Sequence, residues 1–379
     1  MSHILHVVNI YFVIPYFLGN QLTYFREKGY DIHIICSPSE ELKDYAKQQG
    51  FKYKEIPILR KISLVQDLKS MWQIFRYIQK NKIEIVTGHT PKGGLLAMIA
   101  AFWAGTKIRI YFRHGLVYET SKGLKRYLLI TMDRLASMLA TKIVCVSPSV
   151  SRRSLEDRLN PASKQLVLAH GTCNGIDIRR FSKENINELS LVNLRNKYGI
   201  SDKDYVIGFS GRLVRDKGIV ELVEAFREIH EKYPNTKLLL VGMLEARDAV
   251  PVSVVQEIQS NPAIIHTGYV DNRQMEYFYA MMHIFVLPSY REGFPTSVLE
   301  ASAMELPVIT TRVTGCIDSI LPNETGVFVQ HDSHELELAI EHFITNPEYA
   351  RTMGVQGRNF VIRNFEEHIV WNEIEKLYQ

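Results

Sequence analysis

HIFVLPSYREGFPTSVLEASAMELPVITTR (283–312) reads as one supersecondary unit. An apolar run, HIFVLPS (283–289), leads into a turn carrying Gly293 and Pro295. A helical segment follows, and PVITTR (307–312) closes the unit with a second apolar run. Continuous β-branched runs on either side of a helix are expected of parallel strands buried on both faces. Pro295 suits the first helical turn, where its missing N–H costs nothing. A helix that opens at the carboxyl end of a parallel strand presents unpaired N–H groups and a positive dipole end, and both favour phosphate.

The same alternation extends in both directions. Downstream of residue 200 the further strands are YVIGFSGR (205–212), KLLLVGM (237–243), AIIHTGYV (263–270) and GVFVQ (326–330). Upstream they are ILHVVNI (4–10), DIHIICS (31–37), IEIVTG (83–88), KIRIYFR (107–113), KIVCVS (142–147) and QLVLAH (165–170). Helical patterns lie between them, as in SLVQDLKSMWQIFRYIQKN (63–81), where apolar residues recur at three- and four-residue steps. The pattern breaks around 174–200. Two successive doubly wound α/β domains are the simplest account of 379 residues. The first spans 1–175 and is completed by a C-terminal helix over 362–379; the second spans 176–361.

Charge is unevenly spread. Residues 1–178 hold 25 Lys/Arg against 13 Asp/Glu, a net +12, whereas residues 179–379 carry −8. A basic first half on an acidic second half points to different partners for each. The four cysteines (Cys36, Cys145, Cys173, Cys316) have no metal-ligand or redox spacing, which fits a reduced, cytoplasmic setting. The N-terminal run lacks a basic leader and a small-residue cleavage site, so it reads as a first strand and loop. LLAMIAAFWA (95–104) is too short to span a bilayer and reads as a buried helix.

Two turns carry the chemistry. In REGFPTSVLE, Glu292 stands just before the helix and Glu300 about two turns into it. Carboxylates so placed can accept hydrogen bonds from sugar and ribose hydroxyls; taken alone, the pair also fits a capping Glu and a surface Glu. In GFSGRLVRDKGIVELVEAF (208–226), Arg212 and Lys217 sit between a strand and a helix. A bidentate guanidinium and a mobile ammonium suit a diphosphate, and a solvated basic turn has the same composition. DKD (202–204) and HDSH (331–334) read as a surface turn and a loop with a helix cap, so no metal is implied. Neither a Gly-x-Gly-x-x-Gly fingerprint nor a Walker motif is present, which argues against a dehydrogenase or a P-loop NTPase.

Together GRLVRDKG and EGFPTSVLE resemble the donor-site motifs of the retaining glycosyltransferases of family four, including their Glu-x7-Glu spacing, and NGID (174–177), GYV (268–270) and PNETGVFV (322–329) resemble further segments in the right order. The resemblance implies a GT-B fold: two Rossmann-like domains facing each other across a cleft. It further implies that Arg212 and Lys217 bind the donor diphosphate, that Glu300 holds the ribose and that Glu292 contacts the transferred sugar. Backbone from Gly211 and from Gly293, Phe294, Pro295, Thr296, Ser297 and Val298 would meet sugar and phosphate, and Tyr269 and Val270 would meet the base. His114, in YFRHGL, resembles the family's cleft histidine beside the donor sugar. Gly19 matches the glycine of the loop after the first strand, where relatives often carry a pair and this chain has LGN. In GHTPKGG, His89, Thr90 and Lys92 are placed toward the acceptor.

The implied activity is transfer of a sugar, with retention, from a nucleotide-diphosphate donor. UDP is the family-weighted choice and GDP the runner-up. HTPKGGLLAMIAAFWAG and YFRHGLVYE also resemble the members that build bacterial surface polysaccharides such as capsule or O-antigen. SKGLKRYLLI (121–130) and LRKI (59–62) mix basic and apolar residues, which fits peripheral docking on an anionic inner leaflet and a polyprenyl-diphosphate-linked acceptor. No nucleic-acid module is recognisable. The competing readings are a sugar-nucleotide epimerase of the same fold and a non-catalytic nucleotide-sugar binding protein.

Overall fold

The computed structural model describes residues 2–59, 63–246 and 248–379. Contacts divide the chain into two units, Met1–Gly175 with Glu367–Gln379, and Ile176–Glu366. Among the described residues the first unit holds seven strands: β1 (His3–Val7), β2 (Asp31–Cys36), β3 (Lys52–Glu55), β4 (Ile85–Gly88), β5 (Ile108–Arg113), β6 (Lys142–Cys145) and β7 (Gln165–Val167). All pair in parallel, in the order β3-β2-β1-β4-β5-β6-β7. The central strands are buried along nearly their whole length, as their unbroken apolar sequences require. β3 (KYKE) is the strand that hydrophobic periodicity does not reveal: it lies at the sheet edge, largely exposed, and its residues are polar.

The second unit repeats the plan with β8 (Tyr205–Ser210), β9 (Thr236–Val241), β10 (Ile264–His266), β11 (Ile284–Leu287), β12 (Val308–Thr311) and β13 (Gly326–Val329). Their order is β10-β9-β8-β11-β12-β13, again all parallel. In each sheet the chain leaves a central strand in one direction and later returns to its other side, between β1 and β4 and between β8 and β11. Such switch points, at the carboxyl ends of the strands, are where open α/β sheets bind ligands.

Three local expectations are corrected. The helix Pro347–Phe365 runs through 362–365, so the last segment of the first unit starts at Glu367, not at 362. That closing helix, Glu367–Tyr378, buries Val370, Trp371, Ile374 and Tyr378, with Tyr378 edge-on to Phe25. The helix Pro91–Trp103 is buried over Leu95–Met98, but its end is not: Phe102 and Trp103 are exposed. Pro295 stands one residue before the helix Thr296–Ala303, as its N-cap, rather than inside the first turn.

Candidate active site

In the second unit, β8 ends at Ser210, and the chain passes Gly211 and Arg212 into a short 3-10 turn, Arg215–Lys217. Gly218, left-handed at φ 71°, starts the helix Ile219–Lys232. A Cβ there would lie 2.2 Å from the Pro288 carbonyl oxygen, so only glycine allows this turn to press against the end of β11. The contact is stitched by further bonds. The Asp216 carbonyl accepts from the Tyr290 N–H at 2.8 Å and from the Ser289 hydroxyl at 3.0 Å. The Asp216 carboxylate pairs with Arg291 at 3.0 Å. As a result the Lys217 ammonium donates to Glu292 Oε1, and both side chains are largely buried. Two groups predicted from separate motifs therefore meet at the β8–β11 switch point.

The other residues expected at a donor site have different partners. Arg212 is half-exposed and bonds Glu245 at 3.0 Å. Glu300 accepts from the Tyr279 hydroxyl at 2.8 Å. Burial pushes the Glu300 carboxyl up to about 7, against the opposing pull of the Tyr279 hydrogen bond and of Arg180. Phe294 and Pro295 are buried, and Thr296 and Ser297 half-buried. The Val298 N–H already bonds the Pro295 carbonyl, which leaves Thr296 and Ser297 as the amides ahead of the first intrahelical bond. Gly293 is held by Gly315, whose φ is 85° and whose absent Cβ would fall 2.5 Å from the Gly293 oxygen. Tyr269 is exposed and Val270 buried, beyond a bridge in which the Gly242 N–H bonds the Gly268 carbonyl.

In the first unit His114 follows β5. Its ring stacks on Phe17 with centroids 4.6 Å apart, and Nε2 lies 3.0 Å from His89 Nδ1. Burial lowers the His114 imidazole to about 4, so it is neutral at pH 7. The strand before it is anchored by Arg113, whose guanidinium is wholly buried and bonds Asp133 (2.6 Å), Ser137, Asn160 and Gln165. Gly19 caps a single π-turn, Ile14–Leu18; a Cβ on it would sit 2.8 Å from the Asn174 amide.

His89 and Lys92, expected toward the acceptor, are both buried. His89 is fully buried, stacked 4.6 Å from Phe112. Lys92 is buried and its ammonium is 2.7 Å from Asp67. Thr90, at φ 66°, caps the helix that follows by accepting from the Gly93 N–H. Asp332 of HDSH likewise caps the helix Ser333–Thr345. All four cysteines are buried free thiols. Among the described residues one group has the donor set for a metal ion, His3, Asp31 and His33. Its shared oxygen, Asp31 Oδ2, already accepts from both imidazoles and from Lys52 at 2.7–3.0 Å.

Sequence reading did not find Glu245, Tyr279, Asp216 or His6 as partners of the site. They lie 33, 21, 75 and 83 positions from the residues they touch. Only His6 carried a signal, a polar residue inside an apolar strand.

Residues 4–147 match the family model described as glycosyl transferase 4-like, and residues 192–360 match that of glycosyl transferases group 1. The chain is 37% identical over 377 residues to the capsular polysaccharide biosynthesis glycosyltransferase CapM of Staphylococcus aureus, spanning 99% of this chain and 96% of that one. It is 24% identical over 354 residues to the Escherichia coli UDP-Gal:alpha-D-GlcNAc-diphosphoundecaprenol alpha-1,3-galactosyltransferase, spanning 92% and 89%. Its fold is similar to that of Anabaena HepE in complex with UDP and glucose, at a TM-score of 0.82 over 99% of both chains and 17% identity. With motifs, sheet orders and matches in agreement, the chain belongs to the group 1 glycosyltransferases and has the GT-B fold.

Proposed function

We propose that this glycosyltransferase moves a sugar, with retention, from a UDP-sugar to a polyprenyl-diphosphate-linked saccharide in bacterial surface-polysaccharide synthesis. The observation that carries the reading is the Lys217–Glu292 pair at the β8–β11 switch point, with Arg212 two residues beyond β8. Two cations there suit a diphosphate, and a carboxylate there suits the hydroxyls of the sugar attached to it. The base is weighted to UDP by the E. coli relative's stated donor and by the ligand in the Anabaena structure. The acceptor class follows the same relative's stated acceptor, and the CapM similarity supports a place in capsule synthesis.

The reaction this reading implies breaks the anomeric C1–O bond to phosphate, and the leaving diphosphate keeps the electron pair. Arg212 and Lys217 stabilise that charge as it develops. The acceptor hydroxyl attacks C1 on the face the phosphate leaves, and its proton passes to a departing phosphate oxygen. The chain supplies positioning and electrostatics, and no step calls for a metal.

Among the described residues no helix is long and apolar enough to cross a membrane. Peripheral docking is supported by the helix Gly123–Leu139, which exposes Leu124, Tyr127, Leu128 and Met138 beside Lys122 and Lys125. The helix Leu64–Lys80 exposes Leu64, Val65, Leu68 and Trp72. Of the basic-apolar tip at 59–62, residues 60–62 lie outside the described residues.

Thermal stabilisation by UDP, GDP, ADP and their sugar conjugates tests the donor site, since a ligand of the folded state raises the melting temperature. A shift with UDP that Arg212→Ala and Lys217→Ala abolish supports it; a shift with GDP alone moves the donor to GDP. No shift with any of them removes the nucleotide reading. NMR of the anomeric proton in the product separates retention from inversion, and activity that survives EDTA supports metal independence. Conversion of the donor sugar without acceptor would favour the epimerase alternative.

A further inference from the structure

The turn that carries Lys217 is capped from a distant part of the second unit. Arg215–Lys217 is a single 3-10 turn, and its first internal bond runs from the Lys217 N–H to the Val214 carbonyl at 3.1 Å. The Arg215 and Asp216 N–H groups stand ahead of that bond and need acceptors from outside the turn. Val214, at the N-cap position, has no side-chain oxygen to offer them. Both are taken by one residue of the loop after β9. The Asp248 carbonyl accepts from the Arg215 N–H at 3.0 Å, and Asp248 Oδ2 accepts from the Asp216 N–H at 2.8 Å. Asp248 makes both bonds from a left-handed backbone, φ 61°, which Asp tolerates better than most residues.

The same loop is tied to the segment after β8 at three further points. The Leu213 N–H bonds the Met243 carbonyl at 2.8 Å, Arg215 Nε donates to the Ala249 carbonyl at 2.8 Å, and Arg212 pairs with Glu245. The turn is therefore held from two sides. The Asp216 carbonyl and carboxylate fix it to residues 289–291 after β11, and Asp248 fixes its opening amides to the loop after β9. A three-residue turn does not persist alone, because one internal bond does not offset the dihedrals it fixes. The direction of the Lys217 side chain follows the backbone of that turn, and the turn follows its two anchors.

We infer that Asp248 is a positioning residue for the donor diphosphate: by capping the turn it holds the Lys217 ammonium against Glu292, and Lys217 is the group that meets the phosphate. The phosphate contact in this statement rests on the proposed function; the hold on Lys217 does not. The cap calls for a side-chain oxygen and not for a charge. Asn at this position keeps the oxygen and the left-handed backbone, whereas Gly keeps the backbone and loses the oxygen. Comparing the two isolates the bond to the Asp216 N–H.

The test reads the Lys217 ammonium by 15N NMR of the free protein at pH 6, assigned by its loss in Lys217→Arg. In the wild type its bond to Glu292 should slow exchange with water and keep the signal visible. In Asp248→Gly the signal should broaden away, and in Asp248→Asn it should return. Titration calorimetry then reads the ligand. Asp248→Gly should weaken UDP by roughly twofold to thirtyfold, the span of a lost cap, and Asp248→Asn should not weaken it. In a Lys217→Ala background Asp248→Gly should change UDP affinity by less than about twofold, because the residue it acts through is gone. A Lys217 ammonium that exchanges freely in the wild type, or is unchanged in Asp248→Gly, overturns the inference. So does a loss of UDP affinity that is the same with and without Lys217, or the same in Asp248→Asn as in Asp248→Gly. A cap that served stability alone would lower the melting temperature in Asp248→Gly and move neither the ammonium signal nor UDP affinity. The ammonium is read without ligand, so failure of the wild type to bind UDP would count against the proposed function alone.

Discussion

The Lys217 ammonium is bonded to the Glu292 carboxylate, 75 positions away in sequence, where the turn after β8 meets the loop after β11. The cation that would receive a diphosphate is thus already neutralised, and a ligand must compete for it. Replacing Glu292 by Gln keeps the shape and removes the competing charge. UDP alone should bind Glu292→Gln about three- to tenfold more tightly than wild type, while turnover of the UDP-sugar falls. Lys217→Ala should weaken UDP by roughly tenfold to a hundredfold, the range for a hydrogen bond to a charged group. Titration calorimetry with UDP separates the two; equal weakening in both variants would mean that Glu292 supports the diphosphate rather than opposing it.

Glu300 gives a pH dependence with a definite sign. Burial raises its carboxyl to about 7, so it is largely protonated at pH 6 and largely ionised at pH 8. Ribose hydroxyls donate best to the ionised form. UDP affinity of the wild type should therefore rise from pH 6 to pH 8, relative to Glu300→Gln, by up to about tenfold per pH unit below the pKa. The phosphate of UDP titrates identically in both proteins, so the difference isolates Glu300. Stability runs the other way. A raised folded pKa contributes stability below about 4.5 that is lost as pH rises through 7, so Glu300→Gln should gain relative to wild type at pH 8.

How much of this was legible in the sequence follows from where each signal is stored. Strands such as IVTG and KIVC are apolar because both faces are covered, and composition alone betrays them. KYKE at Lys52–Glu55 pairs at an edge with its side chains in water, so nothing in its composition separates it from a loop. Arg212, Lys217 and Glu292 were visible as candidates because each stands at a strand-to-helix junction within one motif. Their partners were not. Lys217 meets Glu292 because β8 lies beside β11, and His6 meets His89 because β1 lies beside β4; both adjacencies follow from crossovers, which local patterns do not encode. The burial of His89 and Lys92 was hidden for the same reason, since a turn residue looks exposed until its neighbours are known.

The junction also depends on a backbone contact. Gly218 at φ 71° lies where a Cβ would be 2.2 Å from the Pro288 oxygen, whereas Gly199 at φ 63° has nothing within 4 Å of that position. Gly199→Ala should cost only the left-handed strain, about 1 kcal/mol. Gly218→Ala adds displacement of the β11 loop and should cost ~3 kcal/mol or more, with UDP binding weakened as Lys217 and Glu292 part. Denaturant melts of both variants check this. Equal losses would show that the loop after β11 yields without cost.

Acid sensitivity should come in part from the buried histidines. His6 is held near 3 by burial, against 6.5 for the free group. A depressed folded pKa means that the unfolded chain binds the proton first. The stability His6 contributes is complete above about 6.5 and drains away as pH falls toward 3, at up to about 1.4 kcal/mol per pH unit. His6→Phe removes that titration and the unpartnered Nε2 together. Between pH 6.5 and 4.5 its stability should fall less steeply than that of the wild type, by up to that slope, with all other titrating groups common to both. Parallel stability curves would require His6 to take up its proton in the folded chain. The protonated ring would then carry an N–H on both nitrogens, one of them the buried Nε2 that has no partner.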